Sequence, residues 1–334
     1  STLFPYTTLF RSPYSLWPNG GQNIVWNADQ GDLGPLTKAA ADALVGQSFG
    51  EWQDVGSSTI SYLQGPNLAV DVDATNFVPF FDAPAPDGLS AIVYDDSGEI
   101  FELLFGAGSG VLGFAGPEWG DTAACTITEG LAFLNGPEFV DVASGLAIMV
   151  HEFGHFSNLA HAQTNGGILL GLAVGTPEPS GPAPANTFGA PTVADFVNNG
   201  LLETMYPFFF GPQFGEETLA LDDVTSISRL YPEPTYFATT ATVAGSIFSS
   251  NGTTRLSGVN VIARNVANPF LDAVSALSGD FTDATDPALS AVVGTYRFTG
   301  LTPGAQYAVF VDEILDGEFS TYMEIGRASC RERV

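Results

Sequence analysis

The chain has 334 residues, of which 37 are acidic and 9 are basic, so its formal net charge is −28 at pH 7. This charge argues against binding to nucleic acid or to anionic membrane surfaces, which both need basic patches. Hydrophobic residues make up 45% of the chain and charged residues 14%, which is typical of a folded globular protein without a membrane-inserted run.

The two ends of the chain encode each other. Residues 2–12 (TLFPYTTLFRS) can be back-translated into a DNA string whose reverse complement, preceded by one G, reads EIGRASCRERV, the sequence of residues 324–334. Such termini are typical of sequencing-adapter read-through, so residues 1–12 and 324–334 are predicted to be adapter-derived and to lie outside the fold. Cys125 is then the only natural cysteine, and no disulfide within the chain is expected.

An acidic turn is predicted at residues 94–100 (YDDSGEI). Asp-Ser-Gly is typical of a solvated tight turn, which is the favoured interpretation. The alternative is a Ca²⁺ site, because hard cations bind several oxygen ligands on a tight turn.

All histidines of the chain lie in residues 151–161 (HEFGHFSNLAH). His151 and His155 are one helical turn apart, so a helix places both imidazoles on one face. A catalytic zinc site uses three protein ligands and a water, and His161 is the predicted third ligand. Glu152 adjoins the ligands and is the predicted general base, which takes a proton from the zinc-bound water.

The chain must leave the helix after His155, because a straight helix would turn His161 away from the metal. A left-handed residue ends a helix in this way, usually Gly and next Asn, so Asn158 is the predicted helix-breaking residue. A buried helix whose histidines only form hydrogen bonds is less favoured, since three histidines and Glu152 stand at ligand spacing. A structural zinc site is less favoured too, because such sites are usually closed by cysteines.

A second group of patterns follows the histidines. Residues 203–207 (ETMYP) contain Met205, whereas Met149 precedes the first ligand and is predicted to lie in the core. Residues 219–232 (LALDDVTSISRLYP) predict a helix with Asp in its first turn and Pro after its end. Its apolar residues fall on one stripe: Val224, Ile227 and Tyr231.

These segments together resemble the matrixin branch of the metzincin zinc proteases, through HEFGH, TMYP and LxxDDxxxIxxLY. The resemblance covers roughly residues 20–233. It implies an α+β, zincin-like catalytic domain over residues 13–235, with a twisted mixed sheet, an active-site helix and a Met-turn at Met205 beneath the zinc. Asn158 departs from the family, which has Gly there, and residues 162–204 form a longer segment with a Pro-rich stretch at 176–184.

The resemblance also implies elements upstream. Residues 23–27 would be the first strand and residues 37–52 the first helix, with core contacts from Ala40, Leu44 and Phe49. Residues 111–117 would be the edge strand above the cleft, where a substrate pairs its backbone.

The substrate-binding residues that this arrangement implies are Gly113, Phe114, Ala115, Tyr206 and Pro207. Tyr206 reads equally well as a packing aromatic. The segment after Pro207, residues 208–211 (FFFG), would help to wall an apolar pocket, although such a run is also plain core material. The family's second, structural zinc would need further histidines, so a single zinc is expected.

After Pro234 the helical periodicity ends and short runs rich in Thr, Ser, Val and Gly alternate with turns. Residues 242–248 and 257–263 alternate like half-buried strands, and residues 294–311 predict strand, turn and strand. The pattern GxYxFxGLxPGxxY resembles the carboxypeptidase regulatory-like β-sandwich, which implies a C-terminal all-β sandwich over residues 236–323, truncated near its end.

Together these features predict a secreted, extracellular or cell-surface zinc endopeptidase that acts on protein or peptide substrates, with its signal peptide upstream of this sequence. The acidity suits a salty or extracellular medium, or is plain compositional bias. The alternative function is a catalytically silent surface adhesion or carbohydrate-binding protein on a metalloprotease scaffold; a zinc amidase acting on other bonds is a second rival.

Overall fold

The computed structural model describes residues 16–121, 124, 126–174, 188–189, 191–281 and 292–312. The two predicted adapter-derived ends, Cys125 and the Pro-rich stretch 176–184 lie outside the described residues.

The N-terminal part is built on a five-stranded mixed sheet of order β2-β1-β3-β5-β4. Its strands are β1 (Ile24–Ala28), β2 (Tyr62–Gln64), β3 (Ala91–Asp95), β4 (Gly113–Asp121) and β5 (Thr126–Asn135). Strand β4 runs antiparallel to β5, and the other pairs are parallel. The predicted first strand and edge strand therefore exist as β1 and β4. The register of β4 slips beyond Pro117, whose ring nitrogen has no hydrogen to donate.

Helices cover the sheet and connect its strands. In the described residues they are α1 (Pro18–Gly21), α2 (Lys38–Gln53), α3 (Val78–Phe81), α4 (Glu99–Phe105), α5 (Val142–Phe156), α6 (Gly166–Val174), α7 (Val193–Asn199), α8 (Leu221–Leu230) and α9 (Tyr236–Thr239). Short 3₁₀ turns lie at Gly136–Glu138, Pro212–Phe214 and Ser278–Phe281. None of the described helices combines the length and apolar character needed to cross a bilayer.

Helices α2 and α5 pack together in the larger core. The rings of Phe49 and Phe153 stack with centroids 3.9 Å apart, and Trp52 donates its indole N–H to the Val150 carbonyl at 2.8 Å. Leu44 and Phe49 are buried as predicted, but the prediction for Ala40 is wrong, because Ala40 is exposed. A residue advances the helix by about 100°, so the buried stripe starts one position later, at Ala41.

The other predicted core residues of this region are buried. Met149 is fully inaccessible to solvent, and so are Ile227 and Tyr231 on the predicted stripe of α8. Val224 is partly buried against the same core cluster. The helix predicted within residues 219–232 is thus confirmed, with its apolar stripe facing inward.

The acidic segment 94–100 forms the tight turn that its sequence favours. Gly98 donates its N–H to the Asp95 carbonyl at 3.2 Å, and the Asp95 carboxylate accepts the N–H of Phe101 at 3.0 Å, inside the first turn of α4. Burial raises the pKa of Asp95 above its ordinary value. This carboxylate therefore caps a helix, and the segment supplies no described ligand cluster for Ca²⁺.

In the C-terminal part, the residues that the structure describes form two antiparallel sheets. One contains β7 (Asn260–Asn265), β8 (Ala273–Leu277) and β10 (Tyr307–Asp312) in the order β10-β7-β8, and the other pairs β6 (Ala241–Ser246) with β9 (Thr295–Leu301). Both sheets contribute to one buried cluster, which contains Val261, Ala263, Val274, Phe298 and Leu301. The strands predicted in 242–248, 257–263 and 294–311 exist, whereas β8 was not predicted.

The buried carboxyl group of Glu118, on β4, makes the stability depend on pH. Burial, and then the charges of Glu129 and Asp87, raise the pKa of Glu118 to about 8. Between about pH 4.5 and pH 8, Glu118 is therefore protonated in the folded protein and ionised in the unfolded chain. The free energy of unfolding consequently declines as the pH rises through this range.

We expect Glu118→Gln to flatten this dependence, since an amide has no charge to bury. The free energy of unfolding from urea titrations at pH 5 and pH 8 should differ less in the variant, by about 1–3 kcal/mol. Glu102→Gln removes an exposed carboxylate of α4 and is the control. Parallel profiles for wild type and Glu118→Gln would contradict the prediction.

Candidate metal centre

Helix α5 carries the first half of the site. Asp141 begins this helix by accepting the N–H of Ser144 at 2.8 Å, and that hydrogen bond holds the pKa of Asp141 below its ordinary value. The helix is almost entirely apolar, so it is buried against the sheet and α2. Only its last turns bear polar side chains that face a cavity, namely His151, Glu152 and His155.

The helix ends where the sequence predicts. Asn158 has a φ of 76°, the left-handed conformation predicted for this residue. Its N–H is donated to the His155 carbonyl at 2.8 Å, and that of Leu159 to the Gly154 carbonyl at 2.9 Å. These bonds satisfy the last carbonyls of the helix, as in a Schellman-type ending. The chain then doubles back and brings His161 beside α5.

The three imidazoles meet at one point. The Nε2 atom of His155 lies 3.1 Å from Nε2 of His151 and 3.1 Å from Nε2 of His161. All three ligand atoms lie within 4.8 Å of one another, close enough to bind one metal ion. This is the only such group of His, Cys, Asp or Glu side chains among the described residues.

The outer nitrogens of two of these rings are fixed by backbone carbonyls. His151 Nδ1 lies 2.6 Å from the Thr204 carbonyl oxygen, and His155 Nδ1 lies 2.8 Å from that of Leu159. A carbonyl only accepts, so each Nδ1 carries the proton and each Nε2 presents a lone pair. Lone pairs directed at one another repel unless a cation lies between them. The donor set therefore fits a metal ion that prefers imidazole nitrogen.

Glu152 lies beside this trio, under the edge strand. It is 6% exposed and lines the same cavity as the histidines. A Cβ atom at Gly113 would stand 2.9 Å from Cγ of Glu152 and 3.1 Å from Oε1. Only glycine at position 113 leaves the carboxylate its present place, so β4 approaches the site with its bare backbone.

Met205 lies below the histidine helix, where the resemblance places the Met-turn. It is 1% exposed, and its sulfur packs so closely on Gly154 that any side chain at position 154 would collide with it. The carbonyl of Met205 accepts the N–H of Ala162 at 2.8 Å, next to the third histidine. The turn at Thr204 and Met205 therefore contacts both parts of the site: Thr204 binds His151 on α5, and Met205 binds Ala162 beside His161.

Two buried carboxylates that the sequence did not identify as site residues organise this region. Asp223 accepts the N–H groups of Thr204 at 2.9 Å and Met205 at 3.0 Å. Burial, and then the charge of Asp222, raise the pKa of Asp223 to about 8, although these N–H groups oppose the shift. The DD pair in the sequence indicated only a helix start, because contacts with a distant backbone leave no spacing signal.

Glu203 is the second of these carboxylates and is 1% exposed. It accepts the N–H groups of Thr164 at 2.7 Å, Asn165 at 3.0 Å and Gly166 at 3.1 Å. Burial raises the pKa of Glu203 above its ordinary value. The carboxylate thus gathers the segment that follows His161 into a tight loop.

The cavity beside the histidines has a volume of about 320 Å³. Strand β4 supplies Gly113 and Phe114, and the segment after Met205 supplies Tyr206 and Pro207, so four of the five predicted substrate-binding residues line it. Ala115, the fifth, is fully buried in the core and does not line the cavity.

The aromatic run after Pro207 divides between cavity and core. Phe208 and Phe209 line the cavity. Phe208 and Phe210 also pack, partly buried, against a core cluster, and the Phe210 ring lies 6.1 Å from the Tyr206 ring, centroid to centroid. Tyr206 is 2% exposed, so it packs in that core and also borders the cavity. Glu216 completes the wall; its carboxylate accepts the N–H of Gly211 at 3.0 Å, and burial raises its pKa to about 8.

Comparison with known proteins adds no family assignment: no protein-family model matches the chain, and no curated protein matches it significantly.

The left-handed turn gives a direct test of the site's architecture. We expect Asn158→Ala to lower the free energy of unfolding by about 1–2 kcal/mol, because Ala is strained at positive φ. Asn158→Gly tolerates this conformation and is the matched control, with a loss limited to the side chain's own contacts. Denaturant titrations measure both. Equal stabilities for the two variants would show that backbone conformation is not what fixes this position.

Proposed function

We propose that this protein is a zinc-dependent endopeptidase. The observation that carries the proposal is the convergence of His151, His155 and His161 next to the buried carboxylate of Glu152, at the end of a cavity bordered by an edge strand. Three imidazoles with an adjacent carboxylate are the donor set of a hydrolytic zinc site. A structural site would not place a buried carboxylate and an apolar cavity beside the metal.

The chemistry divides between the metal and the chain. A bound zinc ion would lower the pKa of a water ligand to about 7 and polarise the scissile carbonyl. Glu152 would take the proton from the attacking water and return it to the leaving amine. Gly113 allows that carboxylate to lie against β4, and the backbone carbonyls on His151 and His155 hold the ligand rings in one tautomer.

The substrate would be an extended protein or peptide chain. Strand β4 is an edge of the sheet and borders the cavity, so a substrate can add to it as a further strand. The apolar walls formed by Tyr206, Phe208 and Phe209 would receive the side chain that follows the cleaved bond.

We propose the fold assignment on the same grounds. The mixed sheet with an antiparallel edge, the histidine helix and the turn at Met205 support a metzincin catalytic domain of the matrixin type. The two antiparallel sheets after residue 236 support a C-terminal β-sandwich. A secreted or cell-surface location fits a net charge of −28.

Metal analysis tests the first step of this proposal. We expect one zinc ion per chain, because all histidines of the sequence form this trio. His155→Ala should weaken zinc binding by more than the ~10–100-fold typical of losing an outer partner of a ligand. Elemental analysis after dialysis, with and without a chelator, gives the stoichiometry. Retention of a full equivalent of zinc by His155→Ala would contradict the assignment.

Peptide hydrolysis tests the second step. We expect Glu152→Gln to lower kcat by about 10²–10⁴-fold while zinc content is unchanged, since the amide keeps the volume but does not accept the proton. A quenched fluorescent peptide library measures both proteins. If zinc-loaded wild type and variant hydrolyse the library equally poorly, the adhesion or carbohydrate-binding alternative is favoured. Chelator-sensitive activity on other amides alone would favour an amidase.

A further inference from the structure

The segment that follows the third histidine is held by the C-terminal part of the chain. Gln163 donates its N–H to Ser275 Oγ at 3.4 Å, and its carbonyl accepts the side-chain amide of Asn260 at 3.2 Å. Ser275 lies on β8 and Asn260 on β7, about a hundred residues away in sequence. These two hydrogen bonds therefore hold the chain at a point two residues beyond His161.

Arg264 makes the strongest of these contacts. This residue of β7 is fully buried. Its guanidinium donates to the Asn165 side-chain oxygen at 2.6 Å, to the Pro269 carbonyl at 2.9 Å and, at still shorter range, to the Thr164 carbonyl. The ring of Phe270 lies 5.5 Å from its central carbon. Burying a cation costs several kcal/mol, and these acceptors offset part of that cost, so the arginine and the segment stabilise each other.

Asp222 connects the same segment to β8. One oxygen of its carboxylate accepts the N–H of Ser275 at 2.7 Å. The other accepts the hydroxyls of Ser275 at 3.0 Å and Thr164 at 2.9 Å. Asp222 is the neighbour of Asp223, which holds the Met-turn, so the two adjacent carboxylates of α8 bind opposite sides of the site.

The opposite side of the segment is held by the Met-turn region, where Glu203 binds the N–H groups of residues 164–166 and Met205 binds that of Ala162. A small cavity of about 50 Å³ lies between Met205 and the C-terminal sheet, and His161, Asn260 and Ser275 all line it. The position of His161 is thus set between the Met-turn and the C-terminal sheet.

We infer that the C-terminal sheet is part of the metal centre, with Arg264 as a positioning residue that sets the place of the third ligand, His161. The inference rests on the metal-binding part of the proposed function and not on peptide hydrolysis. It assigns the C-terminal part a role in holding metal, beyond that of a spacer or a separate binding module. Arg264 binds Thr164 and Asn165, three and four residues beyond the ligand His161.

The test compares zinc affinity in full-length variants. Arg264→Met removes all the donors, and Arg264→Lys keeps the charge but loses the planar fork. The control is Arg255→Met, at an exposed arginine of the same C-terminal part. Chelator competition gives the zinc dissociation constant, the absorption spectrum of the cobalt-loaded protein reports ligand geometry, and thermal unfolding without metal reports the fold.

We expect zinc to bind about 10–100-fold more weakly to Arg264→Met, with an altered cobalt spectrum, as for other outer partners of metal ligands. Arg264→Lys should lie between this variant and wild type, and Arg255→Met should match wild type. A purely structural role would lower the unfolding temperature and leave zinc affinity and the cobalt spectrum unchanged; that result overturns the inference.

Ser275→Ala keeps the test decisive if Arg264→Met fails to fold. It removes the hydroxyl that accepts from Gln163 and donates to Asp222, and should weaken zinc binding by about two- to tenfold, the range for losing a hydrogen bond. Wild-type zinc affinity in folded Arg264→Lys and Ser275→Ala would also overturn the inference. A wild type that binds zinc but cleaves no peptide refutes the endopeptidase proposal alone, whereas one that binds no metal refutes both.

Discussion

Everything at the site depends on the chain leaving α5 immediately after His155 and returning. Two imidazoles one turn apart are an easy product of any helix, but the third reaches them only through a left-handed residue. Asn158 takes that conformation with a φ of 76°. The hydrogen bonds from Asn158 and Leu159 to the carbonyls of His155 and Gly154 fix the end of the helix. The backbone carbonyl of Met205 and the side chains of β7 and β8 then make hydrogen bonds to the returning segment.

Buried carboxylates that accept backbone N–H groups fix the loops around the site. Glu203 binds the loop after His161, Asp223 binds the turn at Thr204 and Met205, and Glu216 binds the cavity wall at Gly211. Each of these groups is buried, and burial raises its pKa. Some carboxyl groups of this highly acidic chain thus stabilise buried loops. The cost of desolvating each carboxyl group is partly offset by the several N–H groups that donate to it.

Sequence patterns revealed the parts of this arrangement that are local. The ligand spacing, the corner at Asn158 and the apolar stripe of α8 each depend on neighbours within a few residues. The roles of Glu203, Asp223 and Arg264 were missed because each binds backbone far away in sequence, which leaves no periodic trace. The prediction for Ala40 was wrong because this residue lies one helical step from the buried stripe, and the aromatic run after Pro207 contributes to the cavity and to the core at once.

Pro117 in the middle of β4 has a consequence for the whole molecule. A sheet edge is a template on which any extended chain can form, including another copy of the same protein. The proline lacks an amide hydrogen, and the register slips just beyond it. A strand advances by only ~3.4 Å per residue. The part of β4 before Pro117 is therefore long enough to pair with a short extended segment, but not with a long strand. An edge interrupted in this way is a poor template for extended pairing between copies of the chain.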